Sequence, residues 1–453
     1  MSQISDALQP ESDPLKSKEM KKVFFFHFGC RVNQIETLNM ENSSSLSNSN
    51  TTFETADSVE QADYVVINTC TVTNRADVKN RGAIRRVQKI NPNAKIIVTG
   101  CYATTDREDI ENMDGVYLVV SNAEKNAIPE LISNIETGVK DTQVKPVQET
   151  IFKSYPQSLE KLSRAYLKIQ DGCDKRCSYC KIPMARGKAV SRNFESIQRE
   201  VNTLQEANFS EMILTGINIG RYKTEKVQNF SNLLTKLVNM PGQFYYRISS
   251  LEPESLTPEI IELVNHDKVA PFFHIPLQSA SPRILELMNR RYDPEEVKQK
   301  FAALRELHPG VHIGTDIIVG FPGETEENFL ETLCFVQNLN FANIHIFPWS
   351  RRSQTSLDRK LENGELKMVH GAVIRERVER LKKAADLSVQ EYIQKTAGMV
   401  FRAIVESTGG TTINVTTENY MKCTLPAKLN LDKGQLIRMK YDKELNGELI
   451  SNE

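Results

Sequence analysis

Between residues 165 and 348 the chain repeats one alternation six times, and that repetition limits the folds open to it. Six short apolar runs (AYLKIQ, EMILTG, FYYRISS, FFHIPLQ, HIGTDIIVG and ANIHIFP) read as buried strands. Helical patterns such as FESIQREVNTLQEANF, PEIIELVNH and EENFLETLCFVQNL separate them. Strands joined through helices run parallel, because a parallel pair needs a long crossover. Six units predict a partial (β/α)6 barrel, short of the closed eight-stranded form and therefore open on one side.

Two further regions flank this core, so the overall class is α/β. From Val23 to about residue 137, KVFFFHF, DYVVINT and AKIIVT each lead into a polar loop and a helical pattern, predicting an N-terminal parallel α/β domain. From about Ala397, VFRAIVES, TTINVTT, YMKCTLP and QLIRMKYD are short β-type runs broken by Gly, Asn and Asp, predicting a small β-barrel. The expected divisions are a disordered leader (1–20), the N-terminal domain (21–138), a polar linker (139–158), the barrel (159–392) and the C-terminal domain (393–453). The leader is polar and mixed in charge, with no apolar segment of a secretory signal. ENSSSLSNSNTT (41–52) is expected to be a loop or a frayed helix, because Ser and Asn compete with helical hydrogen bonding. No apolar run approaches the length of a membrane span, so a cytoplasmic protein with no membrane partner is expected. The net charge of −1 means that any nucleic-acid contact rests on a local patch.

Eight cysteines in an unexported chain argue for metal or catalysis rather than disulfides. Cys173, Cys177 and Cys180 form a CxxxCxxC motif in DGCDKRCSYC, directly after the first barrel strand. Cys30, Cys70 and Cys101 each sit just past a strand of the first domain, in FGC, NTC and TGC. Strand ends of a parallel sheet share one edge, so these three converge on one rim. A structural zinc wants four ligands, and a ferredoxin uses four cysteines per cluster. Three thiolates can instead hold three irons of a cubane and leave the fourth open, as a catalytic site requires. Cys334, on a helix with Leu333, Phe335 and Val336, and Cys423, in its strand, both read as core.

CxxxCxxC after the first strand of a partial barrel resembles the radical S-adenosylmethionine enzymes. In that family the open iron chelates the cofactor's methionine moiety, and one electron cleaves the sulfonium to give a 5′-deoxyadenosyl radical. FGCRVNQIET, VINTCTVTN and VTGCYA resemble the three cysteine motifs of the methylthiotransferase N-terminal domain. LKIQDGCDKRCSYCKIPMARGKAVSR resembles that family's radical motif, and GMVFRAIVES through TENYMKCTLP resembles a TRAM domain, an RNA-binding β-barrel. The match runs from Lys21 to the end. GCRVNQIET, INTCTVTN, TGCYA and the Ala-Arg-Gly of MARGK are most similar to the branch acting on threonylcarbamoyladenosine in tRNA. Sister branches act on isopentenyladenosine in tRNA or on a ribosomal-protein aspartate.

The resemblance implies that Cys173, Cys177 and Cys180 ligate a radical [4Fe–4S] cluster. It implies that Cys30, Cys70 and Cys101 ligate an auxiliary [4Fe–4S] cluster carrying the sulfur destined for adenine carbon-2. S-adenosyl-L-methionine would serve as both methyl donor and radical source. The partners implied are a tRNA anticodon stem-loop and a one-electron donor such as flavodoxin or ferredoxin, with the enzyme a monomer. No catalytic side chain is assigned beyond the cluster ligands. A non-catalytic iron–sulfur or zinc RNA-binding protein is the rival from another class.

Strand ends of the barrel supply candidates for the cofactor pocket. These are Gly216 and Gly220 in LTGINIG, Ser249, Ser250 and Glu252 in RISSLEP, His274 and Gln278 in FFHIPLQSAS, and Gly320, Gly323 and Glu324 in VGFPGET. His274 and His312 stand inside apolar runs and fit packed histidines better than metal ligands. For RNA, Arg81, Arg85 and Lys89 recur at helical spacing with Arg86 beside them, a pattern that equally suits a solvated helix. RGKAVSR and SRR (350–352) are further basic candidates. After SRR the chain reads SQTSLDRK, where the relatives tend to have a glycine-containing turn.

Overall fold

The computed structural model describes residues 20–44, 53–137 and 151–452. Residues 1–19 of the expected leader, 45–52 of the serine-rich stretch and 139–150 of the expected linker lie outside the described residues.

The first domain is a five-stranded parallel sheet, β1 (Lys21–His27), β2 (Phe53–Thr55), β3 (Tyr64–Thr69), β4 (Lys95–Gly100) and β5 (Val116–Val119), in the order β2-β1-β3-β4-β5. Every residue of β3 is buried, which explains its uninterrupted apolar run: both faces are covered. One face packs Val65, Ile67, Ile96 and Val98 against Ile84 and Val87 of the helix Asn74–Ile90. The other packs Val23, Tyr64, Val66 and Ile97 against Met40 and the helix Ile128–Thr137. The helix after β1 spans Arg31–Ser44, so it carries through the first four residues of the serine-rich stretch. The short strand β2 and the only partly buried β5 were not foreseen.

All six barrel strands form where expected: β6 (Ala165–Lys168), then after the small ribbon β7 (Gln170–Asp171) and β8 (Val190–Ser191), β9 (Glu211–Thr215), β10 (Tyr245–Ile248), β11 (Phe272–His274), β12 (His312–Val319) and β13 (Asn343–Pro348). Parallel pairing runs β6-β9-β10 and β11-β12-β13, and bridges Tyr246↔Val269 and Ser250↔His274 join the halves. The result is an open, curved six-stranded sheet around one large apolar core. The helix Gly371–Thr396 packs on β13 and carries the chain out.

The C-terminal region is an antiparallel sheet, β14 (Val400–Ser407), β15 (Thr412–Thr417), β16 (Lys422–Pro426), β17 (Leu436–Tyr441) and β18 (Gly447–Asn452), ordered β16-β15-β14-β17-β18. It is curled, and a bridge Thr424↔Asn446 brings its two edges together. The turn after β15 docks beneath the barrel, where the strands begin. There Tyr420, held at φ +65°, accepts a hydrogen bond from Arg31 (2.7 Å) and lies against Arg164 and Arg247. Tyr420 thus contacts all three parts of the chain. Fully buried Arg247 donates to Glu211 (2.5 Å) and to the Glu418 carbonyl (2.8 Å). His312 is buried and donates from Nδ1 to the Asn419 carbonyl (2.9 Å), and burial holds its pKa down to about 3.

Candidate functional site

The CxxxCxxC loop leaves β7 through Gly172, at φ +69°, where a side chain would strike the Lys188 carbonyl. Ser178 anchors the loop: its N–H donates to the Met288 carbonyl (3.0 Å) and its hydroxyl to that of Leu287 (2.7 Å). Asn218 Nδ2 points at Cys173 Sγ (3.6 Å), and the Ile182 N–H at Cys180 Sγ (3.4 Å). Cys173, Cys177 and Cys180 all line a cavity of about 250 Å³ in the mouth of the barrel, together with Glu252, Gln278, Asp316, Phe347 and Trp349. Val72 and Thr73, on the loop after Cys70, also line it. A larger open cleft of about 1280 Å³ lies between the linker and the helix Phe194–Glu206, with no cysteine in its wall.

The three cysteines of the first domain do converge. Gly29, at φ +89°, lets the Cys30 loop settle directly on the Cys70 side chain, which any larger residue would hit. Cys30, Cys70 and Cys101 lie close enough to influence one another's ionisation. Burial pushes the Cys70 and Cys180 thiols up to about 12, so they stay neutral until a cation favours the thiolate.

Beside Cys101 lies a buried charge network. Arg186 donates to Cys101 Sγ (3.3 Å), to Glu36 (3.0 Å), to Asp171 (3.0 Å) and to Asn33 (2.6 Å). Lys125 reaches Glu36 (2.5 Å), and Lys168 reaches Glu36 (2.7 Å) and Asp171 (2.6 Å). Three cations (Arg186, Lys125, Lys168) therefore meet two carboxylates (Glu36, Asp171), leaving one positive charge over, next to the thiols. Three sulfur donors beside surplus positive charge suit an anionic iron–sulfur cluster. The donor set of Cys173, Cys177 and Cys180 fits equally, because the three cysteines line a cavity with room for a further ligand.

Arg186 and Arg352 are the residues that sequence reasoning misplaced. Both belong to stretches expected to contact RNA, yet both side chains are buried and paired. Arg352 donates to Asp77 (2.7 Å), Asn74 (2.7 Å) and the Thr71 carbonyl (2.6 Å), clasping the loop after Cys70. Arg192 is likewise buried against Glu200. On the helix Asn74–Ile90, Arg85, Arg86 and Lys89 are exposed, whereas Arg81 turns inward to the Tyr102 hydroxyl (2.6 Å). Cys334 corrects a second expectation: it is exposed, because the helix Glu326–Gln337 buries Phe329, Leu333 and Val336 on another face. Cys423 is buried as expected.

The cofactor-pocket candidates divide. Glu252 and Gln278 line the cavity; Glu252 pairs with Lys175 (2.8 Å) and Arg290 (2.6 Å), and Gln278 takes φ +69°. His274 sits against Asp316 (3.1 Å), and Ser249 is half-buried with its hydroxyl unpartnered among the described residues. Gly216 packs on Gln170 and Ile219, and Gly320, at φ +77°, packs on Ile374; neither lines the cavity.

Comparison with known proteins decides the family. Residues 22–121 match Uncharacterized protein family UPF0004, and residues 167–336 match the Radical SAM superfamily. The threonylcarbamoyladenosine tRNA methylthiotransferase MtaB of Aquifex aeolicus is 36% identical over 350 residues, covering 75% of this chain and 82% of the relative. Its Bacillus subtilis namesake is 35% identical, covering 80% and 81%. The chain belongs to the radical S-adenosylmethionine methylthiotransferase family. A tRNA-2-methylthio-N(6)-dimethylallyladenosine synthase of Hydrogenobaculum sp. is 32% identical, covering 75% and 78%. Among solved structures, the radical S-adenosylmethionine methyltransferase TsrM of Kitasatospora setae shares the fold, at TM-score 0.55 and 16% identity over 76% of this chain and 75% of that one. This methylthiotransferase is accordingly an enzyme transferring a sulfur-containing group, with S-adenosylmethionine and [4Fe–4S] clusters as cofactors.

Proposed function

We propose that the protein methylthiolates carbon-2 of N-threonylcarbamoyl-adenosine-37 in tRNA. One observation carries this reading. The two three-cysteine groups meet at one cavity: Cys173, Cys177 and Cys180 line it, and so do Val72 and Thr73 of the loop that follows Cys70. The relatives named for threonylcarbamoyladenosine supply the substrate. Cys173, Cys177 and Cys180 would hold the radical cluster, and Cys30, Cys70 and Cys101 the auxiliary one. When bound, the clusters and S-adenosylmethionine supply the radical that activates an unreactive C–H bond, and the sulfur that replaces its hydrogen.

The chain's own residues hold and shield this chemistry. Arg186 and Arg352 lock the first domain over the barrel mouth, so base and cysteine loops share one partly enclosed space. Phe347 and Trp349 offer aromatic surface against which a flipped base can stack. The exposed Arg85, Arg86 and Lys89 are suited to phosphate contacts, and the curled C-terminal sheet, read as a TRAM domain, would steady the stem. A soluble one-electron donor such as flavodoxin or ferredoxin would reduce the radical cluster of a monomeric, cytoplasmic enzyme.

The test is product analysis by mass spectrometry after anaerobic reconstitution, with anticodon stem-loops carrying threonylcarbamoyladenosine or isopentenyladenosine. Methylthiolation of the first RNA is expected; exclusive use of the second would replace this reading by the sister one. Iron analysis accompanies it. The triple variants Cys30→Ala/Cys70→Ala/Cys101→Ala and Cys173→Ala/Cys177→Ala/Cys180→Ala should each lose about half the iron.

A further inference from the structure

Strand alternation places His312, Gly314, Asp316 and Ile318 on one face of β12. Asp316 and Ile318 line the cavity, so this face looks into the barrel lumen. The neighbouring strands present His274, paired with Gly314, and His345, paired with Asp316, to the same space. His274 Nε2 lies 3.1 Å from Asp316 Oδ1, and one ligating atom from each of His274, Asp316 and His345 falls within 4.8 Å of the others. Gly314 has no left-handed backbone to explain it; what it supplies is room. A Cβ there would stand 3.2 Å from His274 Nδ1 and 3.3 Å from His312 Nε2.

We propose that His274, Asp316 and His345 form the receiving site for the polar amino-acid arm of the modified adenosine, and so set substrate specificity. This rests on the threonylcarbamoyl reading above. The cavity is apolar at Ile318, Phe347 and Trp349, which suit a base, and polar at Asp316, through which it adjoins half-buried His274 and exposed His345. The amide of Asn343 donates to His345 Nε2 (2.9 Å), which leaves the Nδ1–H of His345 free to donate to the arm. A threonylcarbamoyl arm carries a carboxylate, a hydroxyl and urea N–H groups. His345 donates to the carboxylate, and Asp316, which also orients His274, accepts from the hydroxyl or an N–H. A hydrocarbon arm would bury the same groups with no partner, and a site built for hydrogen bonds rejects such an analogue strongly.

The test compares His345→Phe and Asp316→Asn with wild type in reconstituted full-length enzyme. It measures the ratio of kcat/KM for stem-loops carrying the threonylcarbamoyl or the isopentenyl group. Taking both RNAs on one preparation cancels any loss of fold or iron. The expected result is a ratio lowered about 10- to 100-fold, the worth of a hydrogen bond to a charged group, carried mainly by KM for the threonylcarbamoyl RNA. An unchanged ratio in both variants, with wild type selective, overturns the proposal and leaves the function standing. A wild type without that preference overturns the function instead. Divalent metal beyond the cluster iron, lost in both variants, would overturn the proposal in favour of a cation site.

Discussion

Glu36 holds together the charge network beside the auxiliary cysteines, and its removal has a calculable consequence. Its carboxylate is almost fully buried and meets Lys125 (2.5 Å), Lys168 (2.7 Å) and Arg186 (3.0 Å). Lys168 and Arg186 keep Asp171 when Glu36 is neutralised, but among the described residues Lys125 pairs with Glu36 alone, and burial favours its neutral amine. Glu36→Gln turns three cations against two anions into three against one. Removing one partner of a buried pair costs about 3–5 kcal/mol, because the other charge stays desolvated. Lys125→Met does the opposite: it leaves two against two, so about 1 kcal/mol or less is expected. The three cations hold the Glu36 pKa well below the ordinary carboxylate value of 4.5. Its stabilisation is therefore complete above about 4.5 and is lost as pH falls through the lower, folded value. Urea unfolding midpoints of the anaerobically reconstituted proteins at pH 7 and pH 4 measure this. Equal costs for the two variants, or a Glu36→Gln penalty that fails to shrink on acidification, would refute the surplus-charge reasoning.

Three further outcomes are expected. Gln354 stands at φ +67°, where a glycine is favoured, so Gln354→Gly should raise stability by about 1 kcal/mol in the same urea assay. His312 is held neutral by burial, with its pKa down at about 3 against 6.5 when free. The unfolded chain thus binds the extra proton, and stability should fall by roughly 1.4 kcal/mol per pH unit below about 6.5, a slope that His312→Asn abolishes. Arg186→Gln removes the N–H donated to Cys101 Sγ and should lower the midpoint potential of the auxiliary cluster, read by redox titration with electron paramagnetic resonance.

What the sequence disclosed and what it withheld separate along physical lines. The cysteine after each strand of the first domain was legible because strand periodicity is local and the carboxyl edge of a parallel sheet is fixed by topology. The six barrel strands were legible for the same reason. Arg186 and Arg352 were not. A basic residue in a polar stretch looks solvated unless its partner is known, and here Glu36 lies 150 positions from Arg186, and Asp77 lies 275 positions from Arg352. Cys334 failed on a finer scale: apolar residues occupied both neighbouring positions, but helical geometry turned the sulfur outward while Leu333 and Val336 faced in. His345 gave no signal at all, since only its register opposite Asp316 places it near His274. The stretch after SRR was legible as a departure from the family pattern, and the structure shows what stands there: Gln354 takes a left-handed backbone (φ +67°), and Asp358 secures the turn by accepting the Gln354 N–H (3.1 Å). Long-range charge pairing, rather than secondary structure, is therefore what joins the two cysteine sites, and it is the part of this enzyme that local pattern could not reveal.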